Sequence, residues 1–203
     1  MEFHGFNLLS ILSSKTKRKI VDFILNHTAS MSEREIASIL KISHMSVNRT
    51  MRQLAKLNLV NYTTVGKAHM WKINRKSYTY KILSQAGKNG LVISIPLENL
   101  KHTLIKYIPK ALVKRITLFG SIAKGIEKTN SDIDIFIVAK NATAKDKLEP
   151  YIEKLMDICL EIYGNRFAPY ILTEQELKTK RNLAIINEIN KGIELFPTRK
   201  DKK

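Results

Sequence analysis

Residues 120–134 gather the side chains and backbone types that handle charged oxygen. Gly120-Ser121 is followed after ten residues by Asp132-Ile133-Asp134, and the second acid leads into Ile135-Phe136-Ile137-Val138. The apolar run Ile116-Thr117-Leu118-Phe119 precedes the glycine, so the segment reads as a strand, a glycine-opened helix or turn, and a second strand. Acids two apart on a strand point to one face, with Cα atoms about 7 Å apart at a rise of roughly 3.4 Å per residue. Two carboxylates so placed can grip one or two Mg²⁺ ions. The backbone N–H groups of Gly120 and Ser121, opening a helix or tight turn, offer a seat for phosphate oxygens. Metal-binding acids beside a phosphate cradle point to phosphoryl or nucleotidyl transfer. A plain Gly-rich β-turn-β element has no reason to set two acids at the mouth of a buried strand, where each costs desolvation.

The elements that must hold these groups follow from periodicity and punctuation. Pro96 starts a helix through about Tyr107, which Pro109 ends. Beyond it the chain reads strand (115–119), helix (121–126), strand (132–139), long helix (about 145–163), strand (167–172) and helix (about 174–191). Ile193-Glu194-Leu195-Phe196 is a short strand that closes the sheet.

Gly-Ser, ten residues and Asp-x-Asp between two strands resembles the signature of the minimal nucleotidyltransferases of the DNA polymerase beta superfamily. The resemblance implies that Asp132 and Asp134 are the catalytic Mg²⁺ ligands and that Gly120-Ser121 holds the β and γ phosphates of an NTP, with ATP the expected nucleotide. Lys124, one turn into the phosphate-binding helix, is positioned to help neutralise the triphosphate; a solvated lysine is the competing reading. The family normally supplies a third carboxylate from a later strand as general base. Here Arg166-Phe167-Ala168-Pro169-Tyr170-Ile171-Leu172 contains no acid, and Ala168 or Tyr170 stands where one is expected. Glu174 and Glu176 come after that strand, and Asp157 falls on a surface stripe of the preceding helix. Loss of a general base removes a contribution of roughly 10²- to 10⁴-fold. The residues therefore imply metal and nucleotide binding, with transfer chemistry weakened.

The N-terminal part has a different pattern. Ile20, Val21, Ile24 and Leu25 form one helical stripe. Ser32-Glu33-Arg34-Glu35 has the form of a capping box ahead of Ile36, Ile39 and Leu40. After Lys41-Ile42-Ser43, a third helix turns Val47, Met51, Leu54 and Leu57 inward. Two β-rich runs, 59–64 and 68–73, then flank a Val65-Gly66-Lys67 turn and read as a hairpin in which Tyr62 and Trp71 pack across the strands. Three helices and a hairpin resemble the winged helix-turn-helix of prokaryotic transcriptional regulators, and Ser43-His44-Met45-Ser46-Val47-Asn48-Arg49 resembles the start of their recognition helix. With the apolar stripe inward, His44, Ser46, Asn48, Arg49, Arg52 and Gln53 lie on or beside the outer face, after Ser43. They suit base edges and phosphates. Lys67 and His69 sit at or near the wing tip, and no acid occurs from Ser43 to Lys76.

The chain has 203 residues and a formal charge of +17, with 13 Lys and Arg against 4 Asp and Glu in residues 1–80. Such a field favours nucleic acid through counterion release. The single Cys159 sits in an apolar stretch, which excludes an internal disulfide and fits a reducing cytosol. No Cys/His spacing suits zinc. No apolar run reaches membrane-spanning length and the N-terminus lacks a signal-peptide pattern, so the expected location is cytoplasmic.

The expected fold is α+β in two domains, a winged helix-turn-helix and a mixed-sheet nucleotidyltransferase-like α/β domain. Their expected spans are 1–84 for the DNA-binding domain, 85–110 for a hinge and connecting helix, 111–197 for the nucleotidyltransferase-like domain and 198–203 for a basic tail. Such a fusion resembles a prokaryotic group of regulators. It implies a homodimeric regulator that binds double-stranded DNA and carries a domain for Mg²⁺ and a nucleotide. The alternative is an active enzyme transferring NMP to a small-molecule hydroxyl or to a protein, as related antitoxins AMPylate a partner toxin.

Overall fold

A computed structural model of the chain describes Phe3 and residues 7–89, 96–180 and 183–197. Residues 7–89 form one compact unit; Phe3 and the described residues from 96 onward form another. No helix of the described residues is long and apolar enough to cross a membrane.

In the first unit, a 3-10 turn at Leu8–Ile11 precedes α1 (Lys15–Asn26), α2 (Glu33–Leu40) and α3 (His44–Lys56). Each α-helix starts at a serine whose hydroxyl accepts an orphan backbone N–H: Ser14, Ser32 and Ser43. At Ser32 the capping box with Glu35 is complete. The break between α2 and α3 is made by Lys41 in the left-handed region, φ 50°. Ile20, Val21, Ile24, Ile36, Val47, Met51 and Leu54 are all buried, so the three helices share one core. β1 (Met31–Ser32), β2 (Val60–Val65) and β3 (Ala68–Ile73) form an antiparallel sheet in the order β1-β3-β2. Tyr62 stands opposite Trp71, with ring centroids 4.8 Å apart. This is a winged helix-turn-helix.

The next helix differs from expectation. α4 spans Tyr78–Asn89, so residues 85–89, expected to open the hinge, continue the helix instead. An interior glycine costs a helix only about 1 kcal/mol against alanine. Buried Tyr78, Ile82 and Leu83 hold this one, and Thr79 Oγ1 donates to the Leu57 carbonyl at the end of α3. The rest of the expected hinge, residues 90–95, lies outside the described residues, as does the basic tail at 198–203.

In the second unit, α5 (Pro96–Tyr107) leads to β4 (Val113–Leu118), α6 (Gly120–Lys124), β5 (Ile133–Ala139), α7 (Ala142–Tyr163) and β6 (Phe167–Thr173). α8 (Glu174–Lys180), α9 (Ala184–Asn190) and β7 (Ile193–Phe196) follow. The sheet order is β6-β5-β4-β7, with β5 and β6 parallel and the other pairs antiparallel. β5 is apolar on both faces because both are covered. Phe136 and Val138 pack with Phe119, Leu172, Ile186 and Ile189 on one side. α5 is tied to α7 by a polar contact, in which Tyr163 Oη donates to Asn99 Oδ1 at 2.7 Å, and Phe3 is buried against the Tyr163 ring.

The single helix expected over 174–191 is two. At 100° per residue, one continuous helix would set Leu177 roughly 180° away from Ile186. Splitting α8 from α9 lets Leu177, Ile186 and Ile189 all reach the Phe136 face. Gly192, between α9 and β7, lies so close to β4 that an added Cβ would stand 2.9 Å from Thr117 Cγ2 and nearer still to the Leu118 carbonyl oxygen.

Candidate functional site

Gly120 and Asp134 meet because β4 and β5 pair antiparallel with Leu118 opposite Ile135, and the Phe119 N–H donates to the Asp134 carbonyl at 3.0 Å. The chain turns out of β4 at Gly120 with φ +72°, the left-handed region. An added Cβ there would stand 2.8 Å from Asp134 Cγ and closer to Oδ2. Glycine is thus required both by backbone angle and by the carboxylate lying over it. Gly120→Ala is expected to cost about 1–3 kcal/mol, which thermal denaturation would register as a Tm lower by roughly 2–10 °C. α6 then begins without a side-chain cap, leaving its first-turn amides for water or a ligand.

Asp134 is half-buried, and among the described residues its carboxylate has no hydrogen-bond or ion-pair partner. Burial, the neighbouring Asp132 charge and Glu188 of α9 push its pKa above the ordinary carboxylate range, against a smaller opposing pull from Arg166. Asp132, one residue before β5, is gripped instead. Arg166 donates from Nη2 to its Oδ2 at 2.5 Å and from Nε to its Oδ1 at 3.2 Å. That fork follows from parallel pairing, since Ile133 is level with Phe167 and both Asp132 and Arg166 stand one residue earlier. Asn165, fully buried, donates to the carbonyls of Thr129 (3.1 Å) and Ser131 (2.8 Å) and so fixes the loop that delivers Asp132. Lys124 is not a free cation beside the glycine turn: its Nζ lies 2.7 Å from Glu188 Oε1. Both ends of that pair are about half exposed, where such pairs contribute little.

The register identifies what stands in place of a third acid. Ala168 is level with Asp134 on β6, and Tyr170 is level with Phe136 and packs on its ring. Among the described residues no three His, Cys, Asp or Glu side chains are grouped to hold a metal. Two carboxylates, one of them unpartnered and short of positive charge, still suit Mg²⁺, which is commonly bound by one or two carboxylates together with substrate phosphates. The residues therefore fit the ion in company with a triphosphate and are poor at holding it alone.

The first unit has its own concavity, a cleft of about 480 Å³ between α3 and the wing. His44, Asn48 and Arg52 line it from α3, Lys67 and His69 from the wing, and Ser32, Glu33 and Arg34 from the start of α2. Five of the expected residues are thereby brought together. Arg49 is exposed on α3 but does not line the cleft. Ser43 and Ser46 are engaged with each other at the start of α3, with their hydroxyl oxygens 2.8 Å apart. Gln53 is half-buried, and its Oε1 has no partner among the described residues. The His69 ring packs at a tilt against Tyr62, with centroids 4.6 Å apart.

Sequence reasoning missed the acid in this cleft. Glu33, nearly buried, accepts from Asn48 Nδ2 at 3.2 Å, and Asn48 Oδ1 accepts from Arg52 Nε at 3.1 Å. The acid-free stretch from Ser43 onward is real, but the fold brings Glu33 to it from α2. The relay occupies one edge of the Arg52 guanidinium and leaves its two Nη groups available outward. Arg166 and Glu188 were also missed, because both reach the acids through pairings between distant segments that no local pattern announces.

Two protein-family models match parts of the sequence. The family model described as "Polymerase beta, Nucleotidyltransferase" matches residues 98–200. A second model, the O-methyltransferase dimerisation domain, matches residues 2–81. No curated protein matches the chain. Among solved structures, TrmBL2, an archaeal chromatin protein whose structure shows a novel mode of DNA binding, is similar at 17% identity. The similarity covers 89% of this chain and 72% of that one, with a TM-score of 0.27. With half of its length matched by that model and Gly120-Ser121 set against Asp132 and Asp134 across adjoining strands, the chain belongs to the polymerase beta nucleotidyltransferase family.

Proposed function

We propose that this chain is a DNA-binding transcriptional regulator whose C-terminal unit binds an Mg²⁺-nucleoside triphosphate, ATP being the expected nucleotide. The nucleotide reading rests on one observation above others: the Asp134 carboxylate lies over the glycine turn with no partner of its own. In this reading Asp132 and Asp134 hold the ion, and the amides of Gly120 and Ser121 hold the β and γ phosphates. Bound Mg²⁺ would supply charge neutralisation to the phosphate oxygens. Asp134, already partly stripped of water, loses little further hydration on meeting a cation. Lys124 turns from Glu188 to the triphosphate, which is a stronger anion.

The DNA reading rests on the α3 face. His44, Asn48, Arg49 and Arg52 face a duplex, Arg52 is oriented by the Glu33–Asn48 relay, and Lys67 and His69 approach from the wing. Ser43, Ser46 and Gln53 take phosphate or water-mediated contacts at the edges of that surface. A homodimer is part of the proposal, supported by the match of residues 2–81 to a dimerisation domain. The test is duplex affinity at fixed salt, with and without Mg²⁺ and a non-hydrolysable ATP analogue. A shift of severalfold or more is expected; identical affinities would sink the regulatory coupling.

Membership of a nucleotidyltransferase family favours a second reading, NMP transfer to a protein partner of antitoxin type or to a small-molecule hydroxyl. Ala168 at the level of Asp134 weighs against efficient transfer, because nothing on β6 takes the proton of an attacking hydroxyl. Incubation with labelled ATP separates the two readings. Label that appears on a partner, and disappears with Asp132→Ala, would move the assignment to the enzyme.

A further inference from the structure

Asp132 and Arg166 form the one contact at the candidate nucleotide site in which a supposed ion ligand already has both oxygens occupied. Arg166 grips Oδ1 and Oδ2 together, while its own side chain remains 75% exposed. A divalent ion that approaches Asp132 meets that cation and competes with it for the same two oxygens. The fork can open because Arg166 is largely exposed, so its guanidinium regains water on release even though a two-point grip on a carboxylate only 33% exposed is stronger than an ordinary surface pair. The Arg166 backbone stays in place when the side chain moves: its carbonyl accepts from Ile133 N–H at 2.8 Å, and neighbouring Asn165 is buried and doubly hydrogen-bonded. A released guanidinium therefore remains beside the mouth where Asp132, Asp134 and the glycine turn converge. Its planar fork matches phosphate oxygens as well as it matches a carboxylate.

We infer that Arg166 is an exchanging ligand, covering Asp132 when the site is empty and moving to the triphosphate when the ion takes Asp132. This rests on the Mg²⁺-nucleotide reading above and adds a specificity element to it. The guanidinium stays in the mouth throughout, leaving one anion for another as the ion arrives, and so offsets part of the negative charge that the metal-triphosphate brings. Free metal meets competition at Asp132, whereas metal arriving with a triphosphate does not, because the displaced guanidinium gains a partner. The site then selects the metal-nucleotide complex over either component.

The test is Arg166→Gln, with Arg166→Lys as a second variant that keeps the charge and loses the fork. Two probes are titrated against the full chain: Mn²⁺ alone, followed by the paramagnetic resonance signal of the free ion, and a non-hydrolysable ATP analogue with Mg²⁺, followed by calorimetry. Arg166→Gln is expected to bind Mn²⁺ alone severalfold more tightly and the Mg²⁺-nucleotide about tenfold more weakly, with the lysine variant between. Affinities that both stay put, or that move in the same direction, or a loss of nucleotide affinity with no gain for Mn²⁺, overturn the exchange while leaving nucleotide binding intact. A parent chain that binds neither probe overturns this inference and the nucleotide reading together.

Discussion

Asp134→Asn is expected to stabilise the metal-free protein and to weaken its binding of Mg²⁺-nucleotide severely. The two effects have one cause. The Asp134 carboxyl is pushed above its ordinary pKa by burial and by the charges of Asp132 and Glu188. A carboxyl whose folded pKa is raised binds its proton more tightly in the native state than in the unfolded chain. Its favourable contribution is complete below the unfolded value near 3.8 and is lost as pH rises through the raised folded value. At neutral pH the ionised group opposes folding. The parent should therefore show a Tm that falls across that window relative to Asp134→Asn, and the variant should have the higher Tm at pH 7. A divalent ion deprived of one of two carboxylates forfeits several kcal/mol of attraction, so Mg²⁺-nucleotide affinity should fall by roughly 100-fold or more. Differential scanning calorimetry against pH and a nucleotide titration read the two halves. A variant that melts lower than the parent at pH 7 would show that Asp134 serves the fold rather than a ligand.

Arg52→Ala is expected to lower duplex affinity by about 1–3 kcal/mol, or roughly 5- to 150-fold, measured by fluorescence anisotropy on a selected site. The companion variant distinguishes base reading from phosphate contact. Glu33 places a carboxylate in a cleft whose lining includes His44, Arg34, Arg52 and Lys67, where it would repel a bound duplex. Its compensating role is to orient Asn48, and through it Arg52. Glu33→Gln should raise affinity for random duplex, because a negative charge leaves the interface, and lower the ratio of specific to random binding. If Arg52 instead contacts only phosphate, Arg52→Ala will reduce the salt slope by about 1 and leave that ratio unchanged. Unchanged affinity in Arg52→Ala would remove α3 from the interface.

Local chemistry made much of the fold legible. Ser32 and Glu35 announce the start of α2 because both partners of the capping box lie within one turn. The apolar run from Ile133 to Ala139 could only be a doubly covered strand, and the acid two residues into the motif had to fall at its mouth. The lack of an acid on β6 was readable from its sequence, whereas only the parallel register decides that Ala168, and not Tyr170, is level with Asp134. What stayed hidden depends on pairing between distant segments. Arg166 reaches Asp132 across 34 residues, and only the β5–β6 register decides that they are level. Glu33 reaches Asn48 from another helix, so an acid-free recognition segment did not mean an acid-free surface. The division of α8 from α9 escaped for a related reason. Both helices have good local sequences, and their separation is set by the need of Leu177 and Ile186 to reach the same face of the sheet. Residues 85–89, expected to open the hinge, are helical because burial along α4 outweighs the cost of an interior glycine.

The most direct measurement is a crystal structure of the full chain grown with Mg²⁺ and a non-hydrolysable ATP analogue. The expected result is an ion about 2.0–2.1 Å from carboxylate oxygens of both Asp132 and Asp134, with phosphate oxygens against the amides of Gly120 and Ser121. A nucleotide seated elsewhere, or Asp132 still clasped by Arg166 with Asp134 bare at saturating ligand, would contradict it.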